Sequence, residues 1–325
     1  MAKKAWLDFD ENKLDLKTLI DDLRAGGVEP VAKVVGKTNR EEILEMANSA
    51  DALVSAMERW DRETLAGLKN KKTLIIRYGT GIDNIDLAAA TEFGIPVANC
   101  AGANAAPVAE FALTHILNCM RRLSYSASGP KEGVWPRQFQ GNELDGKTVG
   151  LVGFGNIAKN LRRMLSGFNC RVLAYDEYAR PDEEKFNVTA ADSIEQVFRE
   201  SDVISLHIPL NDETRRSIDM KYFSVMKPSA YLVNTSRGGV INEDDLVQAL
   251  REGKLRGAGL DVMTNEPPSM DSPLLNMSNV FVTTHIAAST YESEQRTQHM
   301  LAATIIDYLN GNIPANILNK QVFNA

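Results

Sequence analysis

Short apolar runs of strand length recur along the chain, at Ala5–Phe9, Ala52–Ala56, Thr73–Ile76, Thr148–Val152, Arg171–Tyr175, Val203–Leu206, Tyr231–Asn234 and Val280–Thr283. Between most of them the apolar positions switch to helical spacing, as in Leu161, Met164 and Leu165 or Leu246, Ala249 and Leu250. Strands alternating with helices build parallel sheets from βαβ units, so the pattern predicts an α/β protein. Ser124–Gly141 interrupts the alternation; rich in Gly, Pro and Ser, it reads as a loop on one domain that ends just before a new strand.

A chain of 325 residues exceeds what one core usually organises, which predicts two domains. With 44% hydrophobic and 24% charged residues the composition is that of a soluble globular protein. A net charge of -7 without a basic cluster argues against nucleic acid as a partner. Cys100, Cys119 and Cys170 are odd in number and form no CxxC pair, so neither a disulfide framework nor a zinc site is expected, and they read as small buried hydrophobes. Asp8 and Asp10 precede any apolar run, and no stretch approaches the roughly eighteen apolar residues of a membrane span. A cytoplasmic location, with no membrane partner, is the expectation.

The strongest local motif follows the strand Thr148–Val152, which runs into Gly153-Phe154-Gly155-Asn156-Ile157-Ala158 and then into a helix. This is G-x-G-x-x-A in a strand–turn–helix setting. Gly153 permits the tight turn, Gly155 lets the backbone approach a pyrophosphate, and Ala158 allows helix to pack closely on strand. The phosphates would lie at the positive end of the helix. A glycine turn alone could be purely structural. Asp176, at the end of the next strand and 23 residues beyond Gly153, adds the acid expected on the ribose hydroxyls. Glu177 follows it and the first cation is Arg180, an order that favours NAD over NADP.

An NAD site calls for a group that exchanges a proton with a carbinol and a cation for an anionic substrate. Of four histidines, His115 lies on an apolar helical stretch and His299 on a surface helix, so core and solvated roles suit them. His207 ends a strand before Pro209, where a cofactor contact is expected. His285 ends the strand Val280–Thr283 and is followed by small residues, and by elimination it is the candidate for the proton. Arg237, in Asn234-Thr235-Ser236-Arg237-Gly238-Gly239, follows a buried strand on a glycine-rich loop and can fork onto a carboxylate. Glu266, before Pro267 and Pro268, is the carboxylate that would fix the imidazole tautomer and favour the proton-donating imidazolium.

In the contexts NTSRGGVINEDDL, GLDVMTNEPP and TTHIAAST, the order Arg237, Glu266, His285 resembles the catalytic trio of the D-isomer-specific 2-hydroxyacid dehydrogenases. The resemblance extends over IIRYGTGIDNIDLAAATEFGIPVANCAGANAAPVAE, GNELDGKTVGLVGFGNIA, HIPLNDETRRSID and LNGNIPANILN. It implies two doubly wound parallel-sheet domains, with a Rossmann NAD domain at 104–288 inserted into a flavodoxin-like substrate domain at 1–103 and 289–325. It further implies an active site in the cleft between domains, a crossing helix over about Asn104–Arg121, and a homodimer through that region. By the same resemblance Thr80 and Gly81 offer backbone N–H groups to the substrate carboxylate. Tyr78 and the Ala56–Trp60 loop shape the rest of the substrate site. Asp261 would hold the nicotinamide carboxamide, while Pro209, Thr214, Thr235 and Ser236 border the cofactor together with Asn156, Ile157 and His207.

Ala158 replaces the third glycine, and Ser236 stands where the family often has alanine. Ser55 occupies a position where some phosphoglycerate-oxidising relatives place an arginine, and no regulatory extension follows Asn319; both disfavour phosphoglycerate. The reaction implied is hydride transfer between NADH and C2 of a small 2-keto acid, with Arg237 on the carboxylate and carbonyl oxygen and His285 supplying the proton. The alternative is an NAD-sensing role like that of the C-terminal-binding protein corepressors, which RYGTGIDNID and HILNCMRR resemble. Formate enzymes place a glutamine where Glu266 stands, so a formate or phosphite dehydrogenase is a weaker reading.

Overall fold

Each strand run pairs in parallel with runs distant in sequence, and the pairing sorts the chain into two units in a computed structural model that describes residues 3–10, 15–36, 38–135 and 140–324. One unit comprises Met1–Asn104 with Thr290–Ala325, the other Ala105–Ser289.

In the first unit β1 (Lys3–Leu7), β2 (Val28–Ala32), β3 (Ala52–Ser55), β4 (Leu74–Arg77) and β5 (Val97–Ala98) form a parallel sheet in the order β2-β1-β3-β4-β5. The register sets Ala5 beside Ala52 and Val54 beside Ile76. Helices cover both faces, so the central strands are apolar throughout rather than alternating. Leu7, Leu19, Val54 and Ile76 pack on one face, and Trp6, Leu53, Trp60 and Ile75 on the other. The chain's end completes this unit: Asn319, buried, accepts from Val97 N at 2.9 Å and donates to Ile95 O at 2.8 Å.

The second unit holds β6 (Thr148–Val152), β7 (Arg171–Tyr175), β8 (Thr189–Ala190), β9 (Val203–Leu206), β10 (Tyr231–Asn234), β11 (Gly257–Leu260) and β12 (Val280–Val282). Their order is β12-β11-β10-β9-β6-β7-β8, also parallel throughout. The strand order reverses beside β6, and in sheets of this kind ligands bind outside the carboxyl ends of the strands at that reversal. Both units are thus doubly wound α/β sheets, as the alternation predicts. Among the described residues no helix is long and apolar enough to cross a membrane.

Two expectations need correction. Ser124–Gly141 is not a plain loop, because it overlaps a helix at Leu123–Ser128 and a 3-10 turn at Gly129–Glu132. Arg122, at φ 47°, ends the preceding helix Ala105–Arg121, and Asn118 Oδ1 then accepts from Ser124 N at 2.8 Å to start the next. The part of that loop at 136–139 lies outside the described residues. Four strands had no clear apolar run: β2 carries Glu29 and Pro30 at a sheet edge, β5 and β8 are two residues long, and β11 is half glycine.

Candidate functional site

The turn after β6 is shaped by what surrounds it. Gly153 has φ 87°, and a Cβ there would lie 2.7 Å from the carbonyl oxygen of His207, so only glycine fits. Its N–H donates to Tyr175 O at 2.8 Å, which seats the turn between β7 and β9. Gly155 begins the helix Asn156–Met164, which no side chain caps among the described residues. A Cβ on Gly155 would meet nothing within 4 Å. The helix therefore offers uncapped N–H groups beside open space, the arrangement that accepts a phosphate. Ala158, wholly buried, packs the helix onto the sheet.

Asp176 is fixed at the end of β7. One carboxylate oxygen accepts from Phe154 N at 2.7 Å, and the other from Tyr178 N and Ala179 N at 3.0 and 3.1 Å. The acid expected on the ribose is thereby tied to the turn expected on the phosphates. Glu177 accepts from the Tyr175 hydroxyl. Arg180 is committed to Asp192 at 2.9 Å and Glu183 at 3.6 Å.

His207 has both ring nitrogens buried with no partner among the described residues, and burial pushes its imidazole down to about 4, leaving it neutral. Thr235 Oγ1, just past β10, is likewise buried and unpartnered. Unpaired buried polar atoms cost free energy, and these three, on two residues at the carboxyl end of one sheet, suit contact with a polar ligand. These orphans, the uncapped helix and the space at Gly155 fit a dinucleotide. Pro209 and Thr214 lie on an exposed turn, where Thr214 Oγ1 donates to Pro209 O at 2.6 Å.

The loop carrying Arg237 is folded by Asn234, the buried last residue of β10, which donates to Arg237 O at 2.9 Å and accepts from Ser236 N and Oγ at 3.0 and 2.7 Å. Arg237 itself is half-buried and donates to Ser236 O at 2.8 Å. At Gly238 a Cβ would stand 2.0 Å from the Met263 carbonyl carbon, so glycine allows this loop to lie directly on the loop that leads to Glu266. Glu266 accepts from Met263 N at 3.1 Å with one oxygen and meets His285 Nδ1 at 2.6 Å with the other. Both side chains are partly exposed, so the remaining imidazole nitrogen, Nε2, is the one free to act outward.

His285 adopts a left-handed backbone, φ 57°. The N–H groups of His285, Ile286 and Ala287 converge on Asp261, at its carbonyl oxygen (2.8 Å), Oδ1 (3.1 Å) and Oδ2 (2.9 Å). Thr283 Oγ1 donates to Oδ1 at 2.6 Å. Asp261, expected to reach the nicotinamide, thus also serves as the clamp of the His285 loop. His115 is buried, as expected, but it is not merely packed: Nε2 lies 3.2 Å from Thr283 Oγ1 and Nδ1 3.1 Å from Phe111 O. Burial pushes its imidazole below the usual range, against the pull of the Phe111 bond and the Asp261 charge. His299 is exposed and pairs with Asp22 at 2.6 Å. Sequence reasoning missed Asn234, Gly238 and Thr283, although Asn234 and Gly238 flank Arg237 and Thr283 begins the His285 motif.

The remaining expected contacts belong to the first unit. Tyr78, directly after β4, donates its hydroxyl to Glu294 and stacks on Phe9 with centroids 4.7 Å apart. Thr80 Oγ1 donates to Asn104 Oδ1 at 3.0 Å, and Thr80 O accepts from Asn99 at 2.7 Å. The N–H groups of Thr80 and Gly81 donate to none of the described residues. Ser55 is buried and its hydroxyl accepts from Trp60 Nε1 and Asn84, each at 3.2 Å.

A family model for the NAD-binding domain of D-isomer-specific 2-hydroxyacid dehydrogenases matches residues 113–287. A glyoxylate reductase of Korarchaeum cryptofilum is 37% identical over 290 residues, 87% of either chain. A D-3-phosphoglycerate dehydrogenase of Methanocaldococcus jannaschii is 38% identical over 86% of this chain but only 54% of its own length. Among solved structures, a glyoxylate reductase from Paecilomyes thermophila superposes with a TM-score of 0.88 at 27% identity, covering 98% of this chain and 99% of that one. An acyclic imino acid reductase in complex with NADPH and D-Arg superposes with a TM-score of 0.87 at 26% identity, over 97% and 99%.

Proposed function

We propose, from the premise that the chain belongs to the D-isomer-specific 2-hydroxyacid dehydrogenases and is an NAD-dependent oxidoreductase of that family, that it interconverts a small 2-keto acid and the D-2-hydroxy acid through Arg237, Glu266 and His285. The observation that carries this reading is the 2.6 Å contact between His285 Nδ1 and Glu266, held on a loop clamped by Asp261. Bound NADH supplies the hydride to C2. The protein's part is to bind, orient and protonate. Arg237 forks onto the substrate carboxylate and polarises the carbonyl oxygen. His285, with Nδ1 engaged by Glu266, gives the Nε2 proton to that oxygen in reduction and takes it back in oxidation. Thr80 and Gly81, whose N–H groups meet no acceptor among the described residues, and Tyr78 are assigned to the substrate.

Gly153, Gly155, Asn156, Ile157 and Asp176 would hold the cofactor, with His207, Pro209, Thr214, Thr235, Ser236 and Asp261 around it. Ser55, sealed under Trp60 and Asn84, is no phosphate ligand, which favours an unphosphorylated substrate. The exposed apolar side chains Leu123, Tyr125, Val134 and Trp135, all just past the helix Ala105–Arg121, suit a homodimer through that region.

The test is NADH oxidation with pyruvate, glyoxylate, hydroxypyruvate, 2-ketoisocaproate, phenylpyruvate and 3-phosphohydroxypyruvate. Turnover of one or more unphosphorylated acids is expected. Exclusive turnover of the phosphorylated one would overturn the substrate class, and no turnover at all would overturn the reading.

A further inference from the structure

We propose that Thr283 is a positioning residue for His285, acting through Asp261 from inside the core. The inference rests on the reading of His285 as the proton donor and names a group that lies beneath it.

The need for positioning follows from the backbone. His285 is a non-glycine residue at φ 57°, a conformation that L side chains avoid because Cβ crowds the neighbouring carbonyl. It persists only where its surroundings over-determine it. Three successive N–H groups do this by converging on Asp261, that of His285 on its backbone carbonyl and those of Ile286 and Ala287 on its carboxylate, so the turn that carries the imidazole is held on one side by how that carboxylate is set. That carboxylate is 1% exposed, and a buried charge needs every donor it has. Ile286 N and Ala287 N come from the loop being held. The Thr283 hydroxyl, at 2.6 Å, is its only side-chain donor among the described residues and comes from the end of β12. It anchors the carboxylate to the sheet rather than to the loop.

Thr283 is packed in place in turn. A hydroxyl has one proton, and the short charge-assisted contact to Asp261 claims it. His115 keeps its own proton on Nδ1 for the Phe111 carbonyl, so its Nε2, 3.2 Å from Oγ1, packs beside Thr283 without donating to it. The ring has little freedom to do otherwise: it lies 4.8 Å from Phe111 and 5.0 Å from Phe281, centroid to centroid. It also sits on Gly259, where a Cβ would come within 3.1 Å of His115 Cδ2. Glycine in the middle of a buried strand weakens it, and here it makes room for the His115 ring and the Cys119 sulfur. The line runs from Thr283, at the end of β12, through the Asp261 carboxylate to the N–H groups of Ile286 and Ala287 beside His285.

The experiment compares Thr283→Val, which keeps shape and loses the hydroxyl, with Thr283→Ser, which keeps the hydroxyl. Thr283→Val is expected to lower kcat on the order of tenfold, the scale of one hydrogen bond to a buried charge. NADH affinity by fluorescence should weaken by less than kcat falls, because Asp261 is also assigned to the cofactor. The His285 ring resonances, read by NMR of histidine-labelled protein, should move. Thr283→Ser should restore both kcat and the resonances. A folded Thr283→Val enzyme with wild-type kcat and unmoved His285 resonances overturns the proposal. Should that variant not fold, Thr283→Ala against Thr283→Ser decides: lower kcat and moved His285 resonances with Ala, both restored with Ser, support the proposal, and equal kcat overturns it. His285→Asn is the control. If it keeps wild-type activity, the reading of the site fails; if it is inactive while the Thr283 variants are normal, the proposal for Thr283 alone fails.

Discussion

The role proposed for Arg237 depends on its residue type. Its guanidinium is planar and carries several donors in a fixed fork, whereas lysine offers a compact charge that cannot meet a carboxylate and a ketone oxygen together. Arg237→Lys should therefore lose catalytic efficiency by on the order of tenfold to a hundredfold, the scale of a lost charge-assisted hydrogen bond. Arg237→Gln should lose at least as much, and NADH affinity should survive in both. Near-normal kcat/KM in either variant would return Arg237 to an ordinary loop position. At the ribose end, Asp176 is locked in place by three N–H groups, Glu177 follows it, and Arg180 is occupied by Asp192 and Glu183. A 2′-phosphate would meet carboxylates and find the nearest cation engaged, so kcat/KM should be higher with NADH than with NADPH. Steady-state rates with the two cofactors check this, and equal efficiencies would refute it.

At the scale of elements, the site is made by loops that touch because a glycine lets them. Gly238→Ala would place a methyl 2.0 Å from the Met263 carbonyl carbon, and backbone must move to admit it. Overpacking of this kind costs about 1–3 kcal/mol, so the variant should melt lower. Its kcat should fall as well, because the displaced backbone runs to Arg237 on one side and to Glu266 on the other. A variant with unchanged melting temperature and rate would mean the loops separate without consequence. The same elements show what was legible in the sequence. Long apolar runs announced eight strands, and the G-x-G-x-x-A turn announced its helix, because period and turn chemistry are local. The edge strand with Pro30, the two-residue β5 and β8, and the glycine-rich β11 carry no local period; their pairing is set by neighbours distant in the chain. The motifs around Arg237, Glu266 and His285 named the chemistry. Nothing in them says that Asp261 gathers the N–H groups of 285–287 or that His115 reaches Thr283, since both depend on how Ala105–Arg121 lies against β11 and β12.

Across the whole molecule, each sheet has its own buried layers, and the ionisable groups left inside them govern how stability responds to pH. Most charged pairs lie on the surface and contribute little. Asp8, just past β1, is different. It is 7% exposed, and burial together with the neighbouring Glu58 pushes its carboxyl up to about 7, against a smaller opposing effect from its bond to Val35 N. In the unfolded chain the same group titrates near 3.8. Between these values the folded protein holds a proton that the unfolded chain has released, so folding takes up a proton and stability falls as pH rises. The contribution is fully present below the unfolded value and is lost as pH passes the folded one. Asp8→Asn removes the titration while keeping an oxygen for Val35 N, which donates to Asp8 at 2.9 Å, and it gains an amide that can donate to Glu58. Wild type should therefore lose more thermal stability than Asp8→Asn between about pH 4 and pH 7, the window bounded by the unfolded and folded values. The check is a series of melting curves for both proteins across that window, read by a probe of the unit that carries Asp8. Parallel dependences would show that Asp8 is already ionised in the folded state and that Glu58 does not hold its proton in place.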